Sequence, residues 1–263
     1  MKIFTGSALL FLFFIIFIFA FAYFNQEKLI FFPEKLPENF VFGFANRFEE
    51  VFLDTKHGEK IHGLHFRVNK PKGIILYFHG NAGSLRSWGG IAENFIPLGY
   101  ELFIVDYRGY GKSTGSISEK SLLQDGELVY TYLKNKLPEE KIIVYGRSIG
   151  TGIAVHLAKI FSPGKLILES PYTNLPDLAK YHYPIIPRFF VRYALSCDQW
   201  ISEVKCPIYI FHGTYDSIVP FDFGKSLARI KPENTTFIPV EGGDHNDLDM
   251  FEEYHTKLSA ILK

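Results

Sequence analysis

Residues 142–150 read Ile142-Ile143-Val144-Tyr145-Gly146-Arg147-Ser148-Ile149-Gly150, and this stretch decides the fold. A run of β-branched and aromatic residues with no polar alternation specifies a strand buried on both faces. The G-x-S-x-G that completes it is followed by Gly150–Phe161, a segment of helical length with few breakers after its first turn, so an abrupt strand-to-helix turn is expected. Such a turn forces its central residue into a strained backbone conformation. It also crowds the residues two before and two after, which is why glycine is wanted at both. Ser148 then stands exposed at a helix N-terminus, where free N–H groups favour developing negative charge. The bare pattern also arises around ordinary turn serines. The strand before it and the helix after it make Ser148 a candidate nucleophile.

The same alternation extends on both sides. Short apolar runs at Ile74–Phe78, Glu101–Val105, Lys141–Tyr145, Lys165–Leu168, Ile208–Phe211 and Thr236–Pro239 read as strands. Helical stretches are expected at Ser121–Leu137, where Leu122, Leu123, Leu128, Tyr130 and Leu133 fall near a 3.6 period, and at Phe221–Ile230 and Asn246–Leu262. Glu50–Asp54 and Lys60–Arg67 flank the turn signal His57-Gly58 and read as a hairpin. This alternation specifies an α/β domain: a mostly parallel sheet covered by helices, with reactive groups at the carboxyl ends of its strands. No repeat or long linker follows residue 27, so 27–263 reads as one domain. Segment 171–205, rich in proline and aromatic residues, breaks the rhythm and reads as a short cap inserted between two strands.

A serine needs a base, and the base needs an acid to hold it. Among the nine histidines, His245 and His255 come late enough to follow the last strand. His245 lies in a glycine-rich loop and is the candidate base, whereas His255 falls within the terminal helix and reads as a surface residue. Asp216, after the strand Ile208–Phe211, is the candidate acid; Glu169, at the end of the preceding strand, competes for that role. Asp244 and Asp247 are too near His245 in sequence to orient its ring easily and read as capping or loop residues. The oxyanion needs two preorganised N–H donors. Ile149, after the nucleophile, supplies one, and the loop His79-Gly80-Asn81-Ala82-Gly83 supplies the other, from Asn81 or failing that Ala82. His79 would brace that loop.

The N-terminus is of a different character. No charged side chain occurs from Ile3 to Phe24, and eight of the 27 phenylalanines fall within the first 24 residues. A helix over that stretch would reach roughly 33 Å, about the thickness of a bilayer core. Residues 1–26 therefore read as a membrane anchor. Lys2 points the N-terminus to the cytoplasm and the downstream domain to the extracytoplasmic side. The alternative is a signal peptide cut near Ala20-Phe21-Ala22, which would release the domain as a secreted or periplasmic protein.

Composition excludes other classes. Apolar residues make up 47% of the 263, too many for a disordered chain. Lysine plus arginine and aspartate plus glutamate each number 28, so no basic field attracts nucleic acid. Two cysteines, Cys197 and Cys206, rule out a disulfide-stapled mini-fold and a four-cysteine zinc site; a disulfide between them is the lesser alternative to buried thiols. Gly111-Lys112-Ser113 resembles the end of a phosphate-binding loop, and Gly109-Tyr110-Gly111 and Gly150-Thr151-Gly152 each begin a dinucleotide pattern, but Asp106, Thr114 and Val155 stand where the remaining glycines are needed. Neither a nucleotide, a metal nor another cofactor is expected.

Taken with LIFFP at 29–33, the motifs HGNAG at 79–83, DYRGYGKSTG at 106–115, GRSIG at 146–150, ESPYTNL at 169–175, KCPIYIFHGTYDSIVP at 205–220 and GGDHND at 242–247 resemble the α/β-hydrolase family. More narrowly, the chain is similar to small N-terminally anchored members that include acyl-protein thioesterases and serine-aminopeptidase-like hydrolases. The resemblance implies an eight-stranded sheet, a Ser148–Asp216–His245 triad, an acyl-enzyme mechanism, and binding roles for His79, Gly80, Ala82, Arg147 and Tyr172. It implies hydrolysis of ester, thioester or lipid-like acyl substrates. Amide cleavage as an aminopeptidase, or a non-catalytic anchored scaffold, are the alternatives, since one constellation serves several chemistries.

Overall fold

Strand Gly73–Phe78, named β3 below, shows how the sequence builds the centre of the molecule. Its residues alternate between two cores: Ile74, Leu76 and Phe78 pack in one cluster, Ile75 and Tyr77 in the other. A strand buried on both faces needs apolar side chains at every position, which is why these runs lack polar alternation. The computed structural model describes residues 2–263, and for residues 2–9 and 12 the backbone alone.

Eight strands form one sheet: β1 (Phe48–Asp54), β2 (Lys60–Phe66), β3, β4 (Tyr100–Val105), β5 (Ile142–Arg147), β6 (Lys165–Glu169), β7 (Ile208–Gly213) and β8 (Thr235–Val240). Their spatial order is β8-β7-β6-β5-β3-β4-β2-β1. Strand β2 runs antiparallel to both β1 and β4, and all other neighbours are parallel. The hairpin joining β1 to β2 turns at Gly58, where φ is +89°. The register sets Arg147 beside Glu169 and Glu169 beside Phe211, so these groups share the carboxyl edge of the sheet.

The helices are α1 (Lys2–Phe24), α2 (Gln26–Ile30), α3 (Leu85–Trp88), α4 (Glu119–Lys134), α5 (Gly150–Ile160), α6 (Leu175–His182), α7 (Cys197–Trp200), α8 (Phe221–Ala228) and α9 (Glu252–Ile261). Ser118 starts α4 with a capping box, its hydroxyl accepting from Ser121 N–H while the Ser121 hydroxyl accepts from Ser118 N–H. Between β6 and β7 the chain makes only α6, α7 and two short 3-10 turns, so the inserted segment is small.

Two expectations are corrected. Pro33 makes Leu29–Pro33 read from the sequence as an extended segment, but Leu29 and Ile30 end α2 and the extended pair is Phe32–Pro33. Pro33 restricts the residue before it but not one four positions earlier, so the helix survives to Ile30. The last helix starts at Glu252, not Asn246, because 244–251 is spent on a hydrogen-bonded loop with a 3-10 turn at Leu248–Met250. The membrane-anchor expectation falls partly on side chains outside the described residues. Among the described residues no helix is long and apolar enough to cross a membrane.

Candidate active site

The turn between β5 and α5 holds Ser148 at φ +51°, the left-handed conformation that a side chain rarely adopts. Its N–H is spent on the Glu169 carbonyl at 2.9 Å and its carbonyl on the Thr151 hydroxyl at 2.6 Å. The two flanking glycines are needed for different reasons. A Cβ on Gly146 would lie 2.6 Å from the Gly150 carbonyl oxygen, the crowding across the turn that the sequence implies. A Cβ on Gly150 would lie 2.2 Å from the Phe78 carbonyl oxygen, a collision with β3 that no local reading reveals. Gly150→Ala is therefore expected to destabilise the fold by about 1–3 kcal/mol, measured as a lower urea midpoint at unchanged slope.

His245 reaches this serine from the loop after β8. Its Nε2 lies 2.9 Å from Ser148 Oγ, and its Nδ1 lies 2.9 and 3.0 Å from the two Asp216 oxygens. Asp216 Oδ1 also accepts from the N–H groups of Val219 at 2.7 Å and Ile218 at 3.0 Å. His212 Nε2, which donates to the Val219 carbonyl, stands 3.4 Å from Asp216 Oδ2. Burial alone would raise the Asp216 carboxyl. The hydrogen bonds from His212 and His245, with that from the Val219 N–H, overcome it, holding the carboxyl well below the usual carboxylate range. An ionised Asp216 keeps the proton on Nδ1, which leaves Nε2 free to accept from the serine hydroxyl.

Glu169, the competing acid, faces elsewhere. Its Oε1 pairs with Arg147 Nε at 3.1 Å, and its Oε2 accepts from the hydroxyls of Tyr145 and, at 3.1 Å, Tyr254. Asp244 and Asp247 are loop acceptors: Asp244 Oδ1 takes the N–H groups of His245 and Ser217, and Asp247 Oδ1 takes that of Asp244. His255 is exposed on α9. Cys197 and Cys206 are free, buried thiols, and burial pushes Cys206 up to about 11.

Ser148 and His245 open into a cavity of about 370 Å³. Both oxyanion candidates line it, Ile149 behind the serine and Asn81 from the facing loop, with Gly80 and Ala82 beside Asn81. Tyr172 lines it too, its hydroxyl donating to the Ile149 carbonyl at 3.2 Å. Arg147 contributes to the wall while its guanidinium donates to the His245 carbonyl at 3.3 Å and stacks over Trp88. It therefore ties the histidine loop to the Glu169 network.

His79 does not line the cavity, which corrects its assignment as a binding residue. Its ring is fully buried, stacked on Trp88 and packed against Tyr107, and Nδ1 donates to the Gly80 carbonyl at 2.7 Å. A ring spent on bracing its own loop has no face left for substrate.

The sequence reading missed part of the wall: Ile30, Trp88, Leu178, His182, Val191 and Asn246. Ile30 is the most distant of these, from the end of α2. Its carbonyl accepts the Asn81 side-chain amide at 3.0 Å, and the next residues, Phe32–Pro33, pair in parallel with Ala82–Gly83. The segment leaving α1 thus holds the oxyanion-loop candidate in place. No local signal marks this, because Ile30 and Asn81 are 51 residues apart.

The arrangement can move the serine proton to an imidazole, hold that imidazole with a carboxylate, and present backbone N–H groups to a developing oxyanion. A family model described as alpha/beta hydrolase fold matches residues 73–198. A lysophosphatidylserine lipase of Danio rerio, ABHD12, is 35% identical over 193 residues, covering 64% of this chain and 49% of that protein. The chain thus spans about half the length of this curated relative. An uncharacterized protein of Mycobacterium tuberculosis is 29% identical over 234 residues, covering 87% of this chain and 83% of that protein. Among solved structures, an esterase of Pyrococcus furiosus superposes with a TM-score of 0.71 at 18% identity, covering 89% of this chain and 96% of the esterase. The chain carries the α/β-hydrolase fold, and Ser148, His245 and Asp216 stand within it in the arrangement of a serine hydrolase site.

Proposed function

We propose that this protein is a membrane-anchored serine hydrolase that cleaves esters or thioesters of lipid-like acyl groups. Residues 1–26 hold it in the bilayer and residues 27–263, with the cap insertion at about 171–205, form the catalytic domain on the extracytoplasmic side. The observation that carries the substrate class is the composition of the cavity wall. Ile30, Leu175, Leu178, Ala179, Val191 and Val219 line it, and among the described residues no carboxylate does. An acyl chain loses nothing there, whereas a substrate ammonium, which an aminopeptidase must hold, would be desolvated without a counter-charge beside Arg147. The lysophosphatidylserine lipase name of the Danio rerio relative agrees with a single-chain lipid ester as substrate.

In this reading His245 Nε2 takes the Ser148 proton as Oγ forms a bond to the substrate carbonyl carbon. The N–H groups of Ile149 and Asn81 receive the oxyanion, each such donor contributing about 10²–10³ in rate. Collapse expels the alcohol or thiol, which leaves with the proton from His245. Water activated by the same imidazole then releases the acid and restores the serine.

Profiling the full chain in detergent micelles against acyl esters of graded length, alongside aminoacyl amides, tests the proposal. Ester turnover should rise with chain length until the cavity is filled, and aminoacyl amides should be cleaved at least about a hundredfold more slowly. Amide turnover equal to or above ester turnover would overturn the ester reading, and no turnover of either would overturn the hydrolase reading.

A further inference from the structure

We infer that the tip of the cap is a second membrane-contact surface, a lipid-facing patch continuous with α1, so that the mouth of the Ser148 cavity opens against the bilayer. The inference rests on the proposal that α1 lies in a membrane.

The cap tip is apolar and uncovered. Ile185 and Phe189 are each 86% exposed, Tyr183 is 64% and Tyr181 60% exposed. Singly exposed apolar residues need no explanation, but four within one short stretch form a patch that water does not favour. From Tyr181 to Val191 the only lysine, arginine, aspartate or glutamate is Arg188, which pairs with Asp177 at 3.1 Å at the base of the cap. Tyrosines and one arginine bordering an apolar tip match the side chains that settle at a membrane–water boundary.

The patch is joined to α1. Phe190 packs edge-on against Phe19 at 5.6 Å and against Tyr23 at 5.3 Å. Gln26, buried at the junction, donates from Nε2 to the Phe190 carbonyl at 2.6 Å, and its Oε1 accepts Arg192 N–H at 2.8 Å. The Arg192 guanidinium lies 3.4 Å from the Glu27 carboxylate and stacks over Tyr23. The end of α1 is therefore packed and hydrogen-bonded to Phe190 and Arg192, next to the cap tip in the chain. The helix leaves Phe11, Phe13, Phe17, Phe21 and Phe24 more than half exposed, an apolar surface that runs on into the cap.

The cavity wall takes residues both from the cap and from the segment that follows α1. Tyr183 belongs both to the exposed tip and to the cavity wall, and Ile30, just past α1, lines the wall as well. A lipid seated at the patch reaches Ser148 without crossing bulk water. The occupant assigned to the patch is thus the acyl region of a bilayer; a second copy of the chain is the outcome to be separated from it.

The test uses the full chain reconstituted into phosphatidylcholine vesicles. Ile185→Cys carries an environment-sensitive fluorophore, and Asn135→Cys, exposed at the C-terminal end of α4 by the amino edge of the sheet, carries the same probe as control. The native thiols are buried, which directs labelling to the new site. The probe at 185 should shift to shorter wavelength and be quenched by brominated lipid, while the probe at 135 should do neither. A water-like probe at 185 overturns the inference. So does shielding that grows with protein concentration and ignores brominated lipid, since that marks contact between copies. Failure of the chain to remain with the vesicles overturns the anchor reading and this inference together. The paired variant Ile185→Asp, Phe189→Asp should lose about tenfold in turnover of a long-chain ester dissolved in the vesicles. It should keep turnover of a water-soluble short ester within about twofold. Equal loss on both substrates would assign these residues to folding and overturn their role at the membrane, and absence of any turnover in the parent chain would sink the hydrolase reading alone.

Discussion

Ser148→Ala is expected to lower ester turnover by about 10⁵–10⁶-fold while leaving the fold intact. The size follows from what the serine does in the proposed reaction: without Oγ no acyl-enzyme forms, and only the oxyanion donors and the cavity remain to assist water. His245→Ala should cost a similar factor. The double variant should be scarcely worse than either, because serine and imidazole act as one unit. Labelling by a fluorophosphonate provides the direct readout. The parent chain should be labelled stoichiometrically and Ser148→Ala not at all, with equal urea midpoints for the two proteins. A variant that is still labelled would mean that another nucleophile carries the chemistry.

The second large effect separates the two candidate acids. Asp216→Asn should fold and lose about 10⁴-fold in turnover, because an amide at that position no longer enforces the tautomer of His245 that accepts the serine proton. Glu169→Gln should do the reverse. It leaves the Arg147 guanidinium buried beside a neutral partner, and breaking a buried pair from one side costs about 3–5 kcal/mol. In a domain of this size that corresponds to a fall of roughly 6–20 °C in melting temperature. Folded Glu169→Gln should retain most of its turnover, since the carboxylate touches neither Ser148 nor the His245 ring. A large loss of turnover without destabilisation in Glu169→Gln would reverse the assignment.

The acid also carries a pH signature. Its carboxyl is depressed in the folded state, so its contribution to stability is complete above the unfolded value near 3.9 and is lost as pH falls through the folded value. The stability difference between the parent chain and Asp216→Asn should therefore be constant from about pH 5 upward and shrink below about pH 4. A difference that grows with acidity would contradict the geometry around Asp216.

Much of the architecture was legible because it is written locally. Ile142–Tyr145 and Ile74–Phe78 admit no solvent face, Gly58 marks its own turn, and Gly146, Ser148 and Gly150 define a bend within five residues. Chain order placed a histidine loop after the last strand and acids after two earlier ones. These are properties of neighbouring residues and of strand direction, so they survive without knowledge of what lies across the sheet.

The choice between the acids was of another kind. Asp216 and Glu169 both end strands at the same sheet edge, and only the register, with Arg147 beside Glu169, spends one carboxylate on an ion pair and leaves the other for His245. The inward ring of His79, the collision that excludes a side chain at Gly150, and the entry of Ile30 into the cavity wall are likewise contacts between segments far apart in the chain. By itself the sequence determined which backbone shapes form and in what order, because those depend on sterics and burial within a few residues. Only the tertiary structure decided which polar groups satisfy one another, because a buried donor takes whichever acceptor packing brings within about 3 Å, however distant it is along the chain.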